Sequence, residues 1–387
     1  MDKGNTKQYK RYVWEHTYKV VGDNQFYVNR EGSIVDMSVR PEDVEGVKVM
    51  THAQADSKKS NFLSKAIAGS WDATKTKVQV MNADCIDVAV HLVRKEGLNP
   101  MIMDAASRGH FGGGYRNGAS AQEEELCRRS DLAFLVDPSL GHQKETMFPL
   151  PARDGIYVPK VQFFRMGPKK DYRTLNFPVT CGVGAVAAHN KPPIDQYGSM
   201  EKSAADDTRA MLETFFYMAK KGKHDSVVVI PLGCGAFANP ATQVAQIFTE
   251  VLQSPEQNIL GDNWFKKIVF AALDDHNSRH QWNPDGNFLP FARLCSATLG
   301  ADVIDNGESM VPREAFSCAK HTNCVRFEGG ATPQPTQATT QLQACRFGSS
   351  CHRANPTHWA EFSHPQLCPN GVGCQDPTPH HKQSYEH

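Results

Sequence analysis

The chain has 387 residues, enough for one large domain or two ordinary ones and for a core that needs no disulfide staples. Lys plus Arg and Asp plus Glu both number 42, so no global field draws in nucleic acid or an anionic membrane, and an anionic ligand would have to be held locally. The polar start from Met1 to Lys10 lacks the apolar stretch of a secretory signal, and no later run is long enough to span a bilayer, which predicts an intracellular protein with no membrane partner.

Residues 1–75 contain one hairpin-like stretch, Phe26 to Val35, and otherwise no pattern that points to a function. From about residue 76 the periodicity alternates. It predicts a strand over Val78–Met81, a helix over Ile86–Glu96, a strand over Pro100–Asp104 and, after a glycine-rich turn, a helix over Gln122–Val136. Strands over 155–166 and 174–181 follow, then a helix over 203–221, a strand over Ser226–Ile230, a helix over 240–253 and a strand over Ile268–Ala272. Strands separated by helices of this length imply crossover connections, hence an α/β sheet sandwiched between helices. In such folds ligands sit where the carboxyl ends of the strands lead into the next helices. Both glycine-rich segments, Gly112–Gly114 and Gly233–Phe237, fall at such places.

The segment from Gly109 to Glu125 sets a glycine turn just ahead of a helix that opens with carboxylates. Glycines let backbone N–H groups approach a phosphate or ribose closely. Acidic residues in a first helical turn are also ordinary partners of the helix dipole, and from these residues alone both readings stand. Only part of the acidic run can face one cleft, since adjacent helical positions point about 100° apart. Glu125 is therefore expected to be a solvated charge.

Seven residues separate Gly114 from Gln122, Glu123 and Glu124. This spacing resembles the signature of the poly(ADP-ribose) glycohydrolases of the macrodomain superfamily, in their shorter, bacterial-type branch. The segments 122–130, 231–240, 244–248 and 269–274 are also similar to that branch, so that roughly residues 10–280 are covered. The resemblance implies a macrodomain-like α/β/α sandwich with a mixed central sheet. It implies hydrolysis of the ribose–ribose O-glycosidic bonds of poly(ADP-ribose), with Glu124 as acid/base and Glu123 on hydroxyls of the departing ribose. Carried over by position, Gly112, Gly113, Gly114, Gly233 and Gly235 would wrap the diphosphate, Phe237 would pack on the ribose, and Gln122 and Asn239 belong to the matched motifs. Asn82 and Asp84 lie where such folds read adenine, and Asp84 is the candidate chosen. No cofactor is implied for catalysis.

Eleven cysteines are distributed unevenly: Cys85, Cys127, Cys181, Cys234 and Cys295 are scattered, whereas Cys318, Cys324, Cys345, Cys351, Cys368 and Cys374 crowd the tail. Cys345, Cys351, His358 and His364 are followed by Cys368, Cys374, His381 and His387 at the same intervals. Two Cys2His2 sets at one repeated spacing predict two structural Zn2+ sites, since about twenty residues cannot bury a core without metal. The first set resembles the poly(ADP-ribose)-binding zinc finger, in which Phe347, His352 and Arg353 occupy the positions that hold adenine and phosphate. Asn370, Gln375 and Asp376 stand there in the second set, which keeps the zinc-ligand spacing without the aromatic and basic groups that would hold polymer. Cys318 and Cys324 repeat the five-residue gap, but Ala331 stands where a histidine is needed, leaving a degenerate finger or a coincidence.

The domains expected are thus an accessory region over 1–75, a glycohydrolase core over 76–310, and a connecting stretch over 311–344 that carries any degenerate finger. Fingers follow over 345–365 and 366–387. Within the connecting stretch, 329–344 is too polar to fold and reads as a coil spanning roughly 20–25 Å. The expected partners are poly(ADP-ribose) and poly(ADP-ribosyl)ated proteins, with no direct DNA contact because the tail lacks basic recognition helices. A monomer is expected. The finger's likeness to those of DNA-damage factors implies nucleus or cytosol. Two alternatives remain at this stage, a non-catalytic reader of the polymer and a hydrolase of single protein-linked ADP-ribose units.

Overall fold

A computed structural model describes residues 6–57, 76–257, 259–260 and 264–305, and beyond them the backbone of five two-residue strands. The elements in chain order are α1 (Lys7–Tyr18), a π-helical turn (Lys19–Asn24), β1 (Phe26–Val28), β2 (Ile34–Asp36), α2 (Pro41–Glu45), β3 (Lys48–Met50) and α3 (His52–Ser57). Then come β4 (Lys77–Met81), α4 (Cys85–Glu96), β5 (Pro100–Ala105), α5 (Gln122–Arg129), α6 (Leu132–Val136), β6 (Gly155–Arg165) and β7 (Thr174–Val186). The remainder is α7 (Lys202–Lys221), β8 (Ser226–Val229), α8 (Ala241–Gln253), β9 (Lys267–Ala271), α9 (Phe288–Leu299), β10 (Asp302–Ile304) and β11 (Cys324–Val325).

Strands β3 to β11 form one mixed sheet in the order β11-β10-β4-β9-β8-β5-β7-β6-β3. Pairing is parallel from β11 to β7, whereas β6 runs antiparallel to both β7 and β3. Ser226 to Val229 are buried at every position, which is what a parallel strand covered on both faces requires. The crossover through α4 leads from β4 to β5 in one direction across the sheet, and those through α7, α8 and α9 lead in the other. Right-handed crossovers therefore put α4 on one face and α7, α8 and α9 on the other, and α8 packs against both α7 and α9.

The N-terminal segment forms part of this unit. Trp14, Val20, Val21, Tyr27 and Met37 make a second core cluster with Tyr115, Cys127, Phe134 and Phe164. The Trp14 and Tyr115 rings meet edge to face with centroids 4.5 Å apart. The predicted hairpin is β1 paired with β2. Strand β7 extends to Val186, beyond the predicted limit at 181, and Gly182 and Gly184 explain the shortfall. Glycines weaken a strand pattern, yet here a Cβ on Gly182 would lie 2.4 Å from the buried His224 ring and one on Gly184 2.9 Å from Met101.

The single helix expected over 122–136 is two. Ser130 is extended, its hydroxyl donates to the Leu126 carbonyl at 2.7 Å, and the Asp131 carboxylate accepts from the Gln162 N–H at 2.8 Å, which ties the break to β6. Just before the break, the fully buried Arg129 donates through one nitrogen to both oxygens of Asp84, at 2.8 and 2.9 Å, and through another to Asp87 at 2.7 Å. Asp84 is also the N-cap of α4, accepting from the Asp87 N–H at 2.9 Å. One guanidinium thus fastens α5 to the start of α4.

The chain divides between Glu328 and Gly329 into two units. In the second unit Gln343–Ala344 pairs in parallel with Phe362–Ser363, and Gln366–Leu367 with Tyr385–Glu386. The finger residues Phe347, His352, Arg353 and the eight proposed metal ligands lie outside the described residues, as does Cys318. Arg129→Leu is expected to strip Asp84 of its counter-charge, to leave Asp87 with only the longer 3.3 Å contact to Lys170, and to destabilise the first unit by about 3 kcal/mol in thermal or urea unfolding. Arg129→Lys is expected to recover only part of this, because an ammonium cannot fork to both aspartates.

Candidate active site

Strand β5 is apolar up to its end, where Asp104 is buried at 1 % exposure. The chain then turns through Gly112, Gly113 and Gly114 and enters α5 at Gln122. Gln122 closes this excursion by an imitation of strand pairing: its Oε1 accepts from the Ala105 N–H at 3.0 Å and its Nε2 donates to the Met103 carbonyl at 2.8 Å. It ties the start of the helix to the end of the strand.

Glu123 and Glu124 are both buried, with side chains turned into the glycine turn. Glu123 accepts from Gly112 N–H through Oε1 and from Ser107 N–H through Oε2, each at 2.9 Å. Glu124 accepts from Gly114 N–H at 3.1 Å through Oε1 and from Ala121 N–H at 3.0 Å through Oε2. The glycines are dictated by this proximity. Gly112 and Gly113 have φ of +74° and +52°, and a Cβ on Gly113 would lie 2.7 Å from Glu124 Oε1. Two of the three turn N–H groups expected to face a diphosphate, those of Gly112 and Gly114, thus donate to carboxylates.

The contact with Ala121 is half of a capping box, so the helix-cap reading of the acidic run holds for Glu124. What a cap does not require is the company of other acids. Burial pushes the Asp104 carboxyl well above the ordinary range, and Glu123 and Glu124 push it further in the same direction. Burial also raises Glu123, opposed by the N–H groups of Gly112 and Ser107 and reinforced by Glu124. Asp104 and Glu123, set in one desolvated place beside Glu124, hold protons that isolated carboxylates would lose. Glu125 differs from its expected role as a solvated charge: it pairs with the buried Arg128 at 2.8 Å and accepts from the Tyr172 hydroxyl at 2.8 Å.

The second glycine segment follows β8. Gly233 has φ of +74°, and a Cβ there would meet Asn239 Nδ2 at 2.5 Å. Asn239 is buried and donates to the carbonyls of His189 (2.7 Å), Gly233 (3.0 Å) and Phe237 (3.2 Å), so it shapes the loop from inside. Phe237 is half-buried and Gly235 is open to its surroundings. Asn277, beyond β9, joins the two loops: its Nδ2 donates to the Ser120 carbonyl at 3.2 Å, and its Cβ is 3.6 Å from where a Cβ on Gly235 would lie. Asp84, the adenine candidate, has both oxygens on Arg129. Asn82 is buried and accepts from the Asp274 N–H at 3.1 Å.

Residues 15–166 match the family model of the microbial-type PARG catalytic domain, which spans the glycine turn and all three acids. The chain carries a microbial-type PARG catalytic domain. Residues 342–367 match the PBZ domain, a zinc-finger family, and cover the first Cys2His2 set. Solved structures agree on the fold of the PARG unit. Poly(ADP-ribose) glycohydrolase from Thermomonospora curvata is 24 % identical with a TM-score of 0.58, covering 74 % of this chain and 98 % of its own. The same enzyme bound to the inhibitor ADP-HPD is 24 % identical with a TM-score of 0.57, covering 73 % and 98 %. Poly(ADP-ribose) glycohydrolase from Deinococcus radiodurans in complex with ADP-ribose is 23 % identical with a TM-score of 0.51, covering 67 % and 99 %. No curated protein matches by sequence.

Sequence reasoning missed Asp104, Asn277 and Ser107 in the PARG site. A signal existed for the first alone, an ionisable residue closing the apolar run Met101 to Met103. Because folded Asp104 holds its proton more tightly than the unfolded chain does, its contribution to stability is present at low pH. It is lost as pH rises beyond the ordinary carboxylate range. Asp104→Asn is expected to melt higher than wild type at about pH 8, with the gap closing towards about pH 4. A gap that stays constant over a pH series of melting curves would show that Asp104 is not held protonated.

Proposed function

We propose that this protein hydrolyses the ribose–ribose glycosidic bonds of poly(ADP-ribose), with Glu124 as acid and then base, and that its tail holds the same polymer. The observation that carries the reading is the fixed Glu124 carboxylate. Each oxygen accepts one backbone N–H at the mouth of two glycine loops joined by Asn277. A carboxylate has about four lone-pair sites, so two bonds of this kind orient it and leave it able to carry a proton. That proton goes to the ribose oxygen as its bond to the anomeric carbon breaks. A water then attacks the anomeric carbon and returns a proton to Glu124. Glu123 is assigned to the hydroxyls of the ribose being released. Gly113, Gly233 and Gly235 allow close approach of a diphosphate, whose charge offsets that of the oxocarbenium-like centre, and Phe237 is assigned to the ribose face. The T. curvata and D. radiodurans enzymes, with ADP-HPD and ADP-ribose bound respectively, support the substrate class.

In the tail, two thiolates and two imidazoles make a tetrahedral zinc donor set. The strand register fits that grouping in both sets. Ala344 pairs with Ser363, the residues that precede Cys345 and His364, and Leu367 pairs with Glu386, those that precede Cys368 and His387. Cys345, Cys351, His358 and His364 are proposed to hold one Zn2+, and Cys368, Cys374, His381 and His387 another. Phe347, His352 and Arg353 are assigned to the polymer. The five described cysteines of the PARG unit are free and buried, in keeping with the proposed nuclear or cytosolic setting.

Purified protein is expected to release ADP-ribose from automodified polymerase, and Glu124→Gln to lose at least about a thousandfold of that rate while still binding polymer. A wild type that binds without release would make the chain a reader. Phe347→Ala with Arg353→Ala is expected to raise KM on long chains several-fold and to leave short oligomers unchanged, because a tethered finger acts through local concentration. Equal losses on both lengths, measured by steady-state kinetics, would remove the polymer from the finger.

A further inference from the structure

The two N–H groups that hold Glu124, those of Gly114 and Ala121, are the two ends of the loop through residues 115–121. Any change in the span of that loop moves one donor relative to the other and turns the carboxylate. The loop contains one 3-10 turn, Tyr115–Asn117, so its shape depends on what surrounds it. Arg128 donates to the Tyr115 and Ala119 carbonyls at 3.2 and 2.6 Å, and Asn277 donates to the Ser120 carbonyl. The remaining wall is α1. Gly118 has φ of +78° and sits so close to it that a Cβ would lie 2.2 Å from the Lys7 carbonyl oxygen. The Lys10 ammonium donates to Ser120 Oγ at 2.5 Å.

Lys10 is 3 % exposed, unusual for a lysine. Burial lowers its pKa, Glu125 opposes that first among the charges, Arg128 adds to it, and Asp275 and Glu124 oppose it more weakly. An ammonium withdrawn from water in this way destabilises a fold unless something is gained from its placement. Here the placement is beside the residue that precedes the helix cap. Lys10 also lies ahead of the stretch matched by the PARG family model, which begins at residue 15.

We propose that Lys10 is a positioning residue for catalysis: from α1 it fixes Ser120, and through it the Ala121 N–H that orients Glu124. This rests on the reading of Glu124 as the acid/base. The N-terminal helix is then part of the catalytic apparatus and not only a cover for hydrophobic surface.

The test is steady-state kinetics of the full chain on poly(ADP-ribose) for Lys10→Met, Lys10→Arg, Ser120→Ala and the Lys10→Met/Ser120→Ala pair, with Glu124→Gln alongside. Lys10→Met is expected to lower kcat about tenfold with KM within about twofold, since a misplaced catalytic group costs rate more than binding. Lys10→Arg is expected to recover most of the loss. Ser120→Ala is expected to lower kcat similarly, and the double variant to be no slower than the worse single one, as for two residues acting through one path. Wild-type kcat in Lys10→Met, a loss confined to KM, or additive losses in the double variant would overturn the proposal. Should Lys10→Met not fold, Ser120→Ala decides by the same split. Activity retained by Glu124→Gln would overturn the acid/base reading and this inference together, whereas its loss with Lys10→Met unaffected overturns the inference alone.

Discussion

Two hydrogen bonds to one carboxylate organise the site, one from Gly114 and one from Ala121 to Glu124. They require the glycine turn to pass within contact of α5, which forces positive φ at Gly112 and Gly113. They also require the helix to start at Gln122, which the Gln122 side chain secures by pairing with the last residues of β5. The Arg129 fork to Asp84 and Asp87 then fastens the other end of α5 to α4. Each of these arrangements serves the angle at which one acid meets the cleft.

The arrangement weakens the fold locally. Asp104, Glu123 and Glu124 share a desolvated place, and glycines occupy a turn that could be relaxed with other residues if nothing had to lie close to it. Acids of the first helical turn ordinarily stabilise through the helix dipole by a few tenths of a kcal/mol to about one, and burial opposes that for Glu123. Asn239 does the same work in the second loop without charge, by filling with amide hydrogen bonds the space a Cβ on Gly233 would take. Uncharged support there suits a loop assigned to a diphosphate.

The alternation of short β-rich runs with amphipathic stretches from residue 76 was legible because buried parallel strands are apolar throughout and their crossovers carry helical periodicity. The acidic motif was legible from its glycine spacing, and Glu123 and Glu124 do meet the turn. What eluded sequence reasoning was tertiary in origin. Ser130 ends a helix because Asp131 is captured by β6, thirty-one residues on. Glu125 is paired because Arg128 and Tyr172 reach it. Asp84 has no local mark of its tie to Arg129, forty-five residues away. No function was readable in residues 1–75 because the contacts of those described are tertiary, Trp14 against Tyr115 and Lys10 against Ser120.

The strand order has a consequence for how this molecule comes into being. Strands β4 and β5 are neighbours in the chain, but β9 and β8 lie between them in the sheet, and both are made more than a hundred residues later. A ribosome that has delivered residues 15–166 has released a segment recognisable by family yet unable to close its own centre, with the inward edges of β4 and β5 unsatisfied. The partner of β5 on that side is Ser226–Val229, and that of β4 is Lys267–Ala271, the later of the two in the chain. The glycine and acid motif thus precedes in the chain the central strands β8 and β9 that complete the sheet around it.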